Sequence, residues 1–408
     1  MSRDILSARK DFPIIVNEKF YGKGLCYLDS AATAQKPQRV ISAVSELYSS
    51  CNANIHRGIY KLSEDTTARY EVARCAVAKF IGAKSHREII FTAGATASLN
   101  TAAHSLGEMC VREGDNIVIS EMEHHSNIVP WQMLCTRRGA ELRVIPVEDD
   151  GALGSFEGLI DSRTKVVAVT QASNVLGTMP DLRGLIDMAH GVGAVVVMDG
   201  CQGVVHSRQN MEELGADLYA FSAHKLYAPN GVGVLWGREE LLEKMPPFLG
   251  GGDMISSVSL SKGTTWADLP LKFEAGTSNY IGAIGLGEAI AYLSEFNANE
   301  VEEYERGLCR EFEKELTCSV EGVRILGTTK DKSPICSFVV EGVASYDLCA
   351  IVDKLGVALR SGQLCAEPLL ERMGVRTVCR ASWGIYNNSE DNAQALAAIS
   401  RAVSMLRR

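Results

Sequence analysis

The chain has 408 residues, of which 46% are hydrophobic and 22% charged, and a formal net charge of −9. That length favours two domains, or one large core with a smaller unit beside it, and the composition is ordinary for a water-soluble globular enzyme. The acidic balance argues against nucleic acid or an anionic membrane as main partner, no apolar run is long enough to cross a bilayer, and Met1-Ser2-Arg3-Asp4-Ile5 lacks the apolar stretch of a secretory signal, so a cytoplasmic protein is expected.

Strand-like runs occupy residues 88–91, 116–120, 141–146, 165–170, 194–198, 218–221 and 232–236, with amphipathic helical stretches such as 95–106 and 182–190 between them. Strands alternating with helices predict βαβ units and a mainly parallel sheet covered on both faces. The continuous Val/Ile character of the runs fits strands buried on both sides. From 249 to 276 the pattern breaks into Gly, Ser, Thr and Trp, including Gly250-Gly251-Gly252; a stretch of that length is expected to be functional or at an interface. Helical patterns follow at 283–296 and 300–316, and the remainder alternates strands and helices in a shorter α+β arrangement, with the domain switch near residue 291. The twelve cysteines are scattered singly, with no C-x-x-C pair and no histidine at zinc-finger spacing. Most are expected to be small core hydrophobes in a reducing compartment.

Two of the predicted strands end in complementary chemistry. The run 194–198 leads into Asp199-Gly200-Cys201-Gln202, and the run 218–221 leads into Ser222-Ala223-His224-Lys225. A pyridoxal phosphate site needs an amine for the cofactor's aldehyde and a carboxylate for its pyridine nitrogen. Both would sit at the carboxyl ends of neighbouring strands, where open α/β sheets bind ligands. Taken singly, Lys225 reads as a loop lysine and Asp199 as a helix cap; the pair with its flanking Ser, His and Gln favours the cofactor site.

Other residues fall around the same crevice. Gly94-Ala95-Thr96 opens a helix after a strand, which makes either a phosphate site or an ordinary capped helix start. Glu123-His124-His125-Ser126-Asn127 follows the strand 116–120. Adjacent histidines point apart, so no metal site is expected from them; one imidazole lying on an aromatic cofactor is the better use, a structural histidine the plainer one. Asn174 and Gln202 can donate amide hydrogen bonds into the crevice. In Arg360-Ser361-Gly362-Gln363-Leu364-Cys365-Ala366-Glu367-Pro368, a loop bracketed by Gly and Pro carries a thiol near an arginine, either a nucleophile or an incidental exposed cysteine. Arg380 in Cys379-Arg380-Ala381-Ser382-Trp383 pairs with a carboxylate, of the protein or of a substrate.

Together these segments resemble the Suf-type cysteine desulfurases, also described as selenocysteine lyases, of the class V aminotransferase group of fold-type I pyridoxal phosphate enzymes. The resemblance runs through Tyr27-Leu28-Asp29-Ser30-Ala31-Ala32, Asn54-Ile55-His56-Arg57-Gly58, the run from Met122 to Trp131, Ser173-Asn174-Val175-Leu176-Gly177, the Asp199 and Lys225 segments, Phe273-Glu274-Ala275-Gly276-Thr277 and Arg380-Ala381-Ser382. It implies an α/β fold: a large domain (19–291) with a mostly parallel seven-stranded sheet between helices, and a small α+β domain from both chain ends (1–18 with 292–408), in a homodimer. It implies Lys225 as the Schiff-base lysine, Asp199 at the pyridine nitrogen, His124 stacked on the ring, and Asn174 and Gln202 near the ring hydroxyl. Thr96, Ser222 and His224 would hold the phosphate, with Thr277 from the second subunit. Arg380 would bind the substrate carboxylate, with Arg360 and Asn174 nearby, and Cys365 would take the sulfur of L-cysteine as a persulfide for an acceptor protein in iron–sulfur cluster assembly.

The chain departs from the family pattern twice. Gln363 and Leu364 replace the two histidines that precede the catalytic cysteine, and Ala93 and Ala97 replace an Arg and a Glu around the phosphate turn, lost together as an ion pair would be. Selenocysteine lyase and class V aminotransferase are the alternative activities, and a cofactor-free scaffold or regulatory subunit is the alternative from a different class.

Overall fold

The protein is described by a computed structural model covering residues 2–407. Seven strands form its main sheet: β1 (Ile89–Thr92), β2 (Asn116–Ser120), β3 (Glu141–Ile145), β4 (Thr164–Thr170), β5 (Val195–Asp199), β6 (Leu218–Ser222) and β7 (Gly233–Gly237). Their order is β1-β7-β6-β5-β4-β2-β3. All neighbours are parallel except β7, which runs antiparallel to both β1 and β6. Each expected strand is therefore present within a residue or two, and the sheet is mixed at one edge.

The pleat explains the core. Along β5, Val196 and Met198 enter one apolar cluster and Val197 the other; along β6, Tyr219 and Phe221 separate in the same way from Leu218 and Ala220. Successive side chains point to opposite faces, so a strand must be apolar at every position when helices cover both faces. On the first face lie α1 (Gln38–Ser50), α2 (Lys61–Ile81), α5 (Arg183–Gly191) and α6 (Tyr280–Leu293); on the second lie α3 (Ala95–Met109) and α4 (Val129–Arg138). Helices α2 and α4 end on Gly82 and Gly139 in the left-handed conformation, which glycine adopts without a Cβ penalty.

After α7 (Ala298–Ser319), the strands β8 (Val323–Leu326), β9 (Ile335–Val340), β10 (Arg360–Gly362) and β11 (Val378–Ser382) form an antiparallel sheet in the order β8-β9-β11-β10. Helices α7, α8 (Ser345–Lys354) and α9 (Ser389–Leu406) share a separate apolar cluster with it. The N-terminal segment serves both cores. Phe12 and Ile15 pack in the large one, whereas Cys26 and Leu28 pack in the small one, where Cys26–Tyr27 pairs in parallel with Val357–Ala358. The irregular segment 249–276 contains an exposed hairpin, Ile255–Ser259 with Gly263–Trp266. No helix among the described residues is long and apolar enough to cross a membrane.

Candidate active site

The carboxyl ends of β4, β5 and β6 open into a cavity of about 420 Å³. It is lined by Thr96, His124, Asn174, Asp199, Ser222, His224, Lys225, Arg360, Leu364, Cys365 and Arg380, among others. Residues from both sheets and from the connecting loops thus meet where strand order and parallel strands predict a binding crevice. Asp199 is the last residue of β5, buried, and its Oδ1 accepts the Cys201 N–H at 2.9 Å. Lys225 ends the single helical turn that follows β6. Gly200 keeps the two strand ends close, because a Cβ there would lie 1.9 Å from the Tyr219 ring.

A second cavity of about 710 Å³ shares Thr96, Ser222 and His224 and surrounds the start of α3. The first N–H groups of a helix have no intrahelical partner and favour an anion. Ser222 Oγ accepts one of them, from Ala95, at 2.8 Å. Gly233 permits β7 to run against this turn, since a Cβ would meet Gly94 Cα at 2.4 Å. Thr96 Oγ1 lies 2.7 Å from Ser126 Oγ, a cavity residue that the sequence reading did not single out.

His124 is held by its own loop: Nδ1 accepts the Ser126 N–H at 3.1 Å. Burial and the neighbouring Lys225 amine push its pKa down to about 4, so near neutral pH it presents an uncharged ring. Burial and Lys225 likewise hold His224 down to about 4. Beneath the loop, Glu123 is buried and accepts from Ser120 Oγ and Asn127 Nδ2, each at 2.6 Å, and from Thr170 N–H at 2.9 Å. Burial raises its carboxyl to about 8 against these three donors. Lys36, also absent from the sequence reading, donates to the His224 carbonyl at 3.0 Å, and burial lowers its ammonium to about 8.

Asp29 is the other residue that sequence reasoning missed as a contact. It pairs with two arginines, Arg380 Nη2 at 3.1 Å and Arg360 Nη2 at 2.7 Å. Arg380 Nη1 also donates to the Asn174 carbonyl at 2.9 Å, while Nε is buried with no partner. Gln202 donates to the Ala31 carbonyl at 3.0 Å, and its Oε1 is likewise buried and unpartnered.

The geometry bears on whether pyridoxal phosphate fits. A carboxylate and an amine at adjacent strand ends, an uncharged imidazole and a helix N-terminus with hydroxyls surround two cavities that share residues, while Gln202 lines neither. These residues fit the group. Thr277 is exposed and lines neither cavity.

Cys365 lies on the loop between β10 and the short helix Glu367–Arg372, exposed and facing the first cavity. Leu364 and Cys365 both have positive φ, 55° and 54°, a conformation that costs an L-residue about 1–2 kcal/mol. The Leu364 carbonyl accepts from Asn174 Nδ2 at 2.8 Å and the Cys365 carbonyl from the His125 N–H at 2.7 Å. The loop is therefore tied to the segments that carry His125 and Asn174.

Comparison with known proteins points the same way. The family model for class V aminotransferases matches residues 26–395. A cysteine desulfurase of Klebsiella pneumoniae (strain 342) is 46% identical over 408 residues, covering all of both chains. Among solved structures, the cysteine desulfurase CsdA of Escherichia coli superposes with a TM-score of 0.91 at 38% identity, over 99% of this chain and 100% of that one. The apo cysteine desulfurase of Thermococcus onnurineus NA1 gives 0.92 at 36% identity, over 99% and 100%.

Proposed function

Since the chain belongs to the class V aminotransferase family, we propose that it is a pyridoxal phosphate-dependent cysteine desulfurase that converts L-cysteine to L-alanine and leaves the sulfur as a persulfide on Cys365. The observation that carries this reading is that Lys225, Asp199, Arg380 and Cys365 line one cavity. Relatives of the same length bear the name cysteine desulfurase.

Bound in the crevice, pyridoxal phosphate supplies an electron sink for the substrate's α-carbon. Lys225 Nζ would hold its aldehyde carbon, Asp199 its pyridine nitrogen, and the neutral His124 ring its face. Asn174 and Gln202 would hold its hydroxyl, and Thr96, Ser222 and His224 its phosphate. Arg380, already bonded to Asp29 and Asn174 with Nε to spare, takes the substrate carboxylate, with Arg360 beside it. Lys225 Nζ would take the α-proton of the bound substrate. Cys365 Sγ attacks the substrate sulfur; an S–S bond forms, the C–S bond breaks, and its electron pair stays with the carbon skeleton, which gains a proton and leaves as alanine. Arginine orientation and loop placement turn this into a reaction between prepositioned groups.

The working unit is a homodimer. Its support is that several large apolar side chains of the segment 248–266, among them Leu249, Val258, Leu260 and Trp266, are exposed. The position of Thr277 outside its own chain's cavities suits a role in the partner's phosphate site. The sulfur acceptor is a protein of the Suf pathway, and the setting is the cytoplasm, in keeping with twelve free thiols. The domain division at 18/19 and 291/292 is proposed with the family reading, although at the N-terminal boundary Phe12 and Ile15 pack in the large core and Cys26 and Leu28 in the small one.

The test is to incubate the cofactor-loaded protein with L-cysteine and a reductant. Alanine and sulfide in equal amounts support the reading. Pyruvate, or a keto acid formed with loss of the cofactor's visible band, contradicts it.

A further inference from the structure

Within the run from Glu123 to Asn127, the roles assigned so far leave His125 unused, although it makes two contacts on the thiol loop. Its backbone N–H donates to the Cys365 carbonyl at 2.7 Å. Its ring Nε2 lies 3.1 Å from the Glu367 backbone nitrogen and accepts that N–H. One large-domain residue thus grips the loop at the thiol-bearing residue and again two residues beyond it. Acceptance at Nε2 also fixes the ring, which carries its proton on Nδ1.

The segment so held does not rest in a conformation of its own choosing. Leu364 and Cys365 are consecutive L-residues with positive φ, and such backbone persists where surrounding contacts over-determine it. Two further contacts act with His125. Asn174 Nδ2 holds the Leu364 carbonyl, and the Leu364 side chain packs against a cluster shared by the two domains, with Met122, Val175 and Leu176 on one side and Ala366, Leu369 and Val378 on the other. Where relatives carry an imidazole before the cysteine, this chain has an apolar anchor.

We propose that His125 is a positioning residue for the reaction: by gripping the loop at Cys365 and again at Glu367, it sets where the thiol stands relative to the substrate sulfur. The inference rests on Cys365 being the sulfur acceptor. The grip itself needs no turnover to be seen.

The experiment compares the holoenzyme with His125→Ala, with His125→Gln, whose amide oxygen can still accept, and with Glu367→Pro, which removes the donated N–H at a first helical position that tolerates proline. Two quantities are measured: the rate at which iodoacetamide alkylates Cys365, located by peptide mass, and kcat and KM for L-cysteine. His125→Ala and Glu367→Pro are expected to speed alkylation severalfold. They should lower kcat by about tenfold to a hundredfold, as expected for a reacting atom displaced by about 1 Å, with KM and the visible absorption band near wild type. His125→Gln should recover most of both. Unchanged alkylation and kcat in His125→Ala and Glu367→Pro, or a glutamine variant no better than alanine, overturns the proposal. If His125→Ala fails to fold, Glu367→Pro decides alone. Failure of the desulfurase reading would appear separately, as absence of alanine from the wild-type enzyme while the alkylation rates still report the grip.

Discussion

Asp199 ends, and Lys225 follows, adjacent central strands whose side chains are buried on both faces of the main sheet, whereas Cys365 sits on a loop after the edge strand β10 of the smaller sheet, in a backbone conformation that L-residues avoid. The first pair is placed by the fold itself, since moving either residue means moving a strand. The thiol is placed by three hydrogen bonds between its loop and Asn174 and His125 and by one apolar side chain. Such contacts contribute about 0.5–1.5 kcal/mol each, enough to hold a loop and little enough to release it. On the proposed function, chemistry at carbon is built on central strands, and delivery of sulfur on a loop held by a few contacts.

The comparison breaks most severely at Lys225. Lys225→Ala should abolish alanine formation together with the visible absorption band, because on the proposed function the same amine anchors the cofactor and moves the α-proton; an unchanged spectrum would place the cofactor on another lysine. Asp199→Asn should retain bound cofactor yet lose turnover by about a hundredfold or more, the scale on which a single preorganised electrostatic contact acts. The amide cannot keep the pyridine nitrogen protonated, while the phosphate contacts stay in place. Near-normal turnover would remove Asp199 from the reaction.

The smallest effect concerns the pH dependence of the cofactor-free protein. The pKa values of His124 and His224 fall from 6.5 to about 4 on folding. Between those values the unfolded chain binds more protons than the folded one, so their contribution to stability is present above about pH 6.5 and is lost as the pH falls toward 4. Glu123, raised to about 8 from 4.5, acts in the opposite sense: its contribution declines as the pH rises from 4.5 through 8. Urea unfolding of wild type and His124→Asn at a series of pH values should show a shallower loss below pH 6.5 in the variant. Parallel curves would mean that His124 is not the group excluded from protonation.

Much of this was legible in the sequence for a physical reason. Strands covered on both faces must be apolar at every position, which is why the runs ending at Asp199 and near Lys225 stood out and why all seven strands fall close to their expected places. The hairpin within 249–276 left no such mark, because its residues are largely exposed and carry no burial pattern. Phe12 in the large core and Leu28 in the small one were equally hidden, since nothing local tells a short N-terminal segment which core it joins. Asp29 was visible as part of a motif but not as the partner of Arg360 and Arg380, more than three hundred residues away. Around Cys365 the Gly and Pro brackets of the loop were readable, but the His125 and Asn174 contacts that hold it join segments far apart in the chain.

The central claim is that one thiol performs the sulfur step on a site otherwise complete for α-carbon chemistry. It is tested most directly by giving L-cysteine, without reductant, to wild-type enzyme and Cys365→Ser at matched cofactor occupancy, while following alanine and the mass of the 365-containing peptide. The account predicts that the wild type forms one alanine per site in a first turnover and gains one sulfur atom on that peptide. The serine variant should keep its visible band, still bind the substrate, and form no alanine. Full alanine production by Cys365→Ser, or a first wild-type turnover that leaves the peptide unmodified, would contradict it.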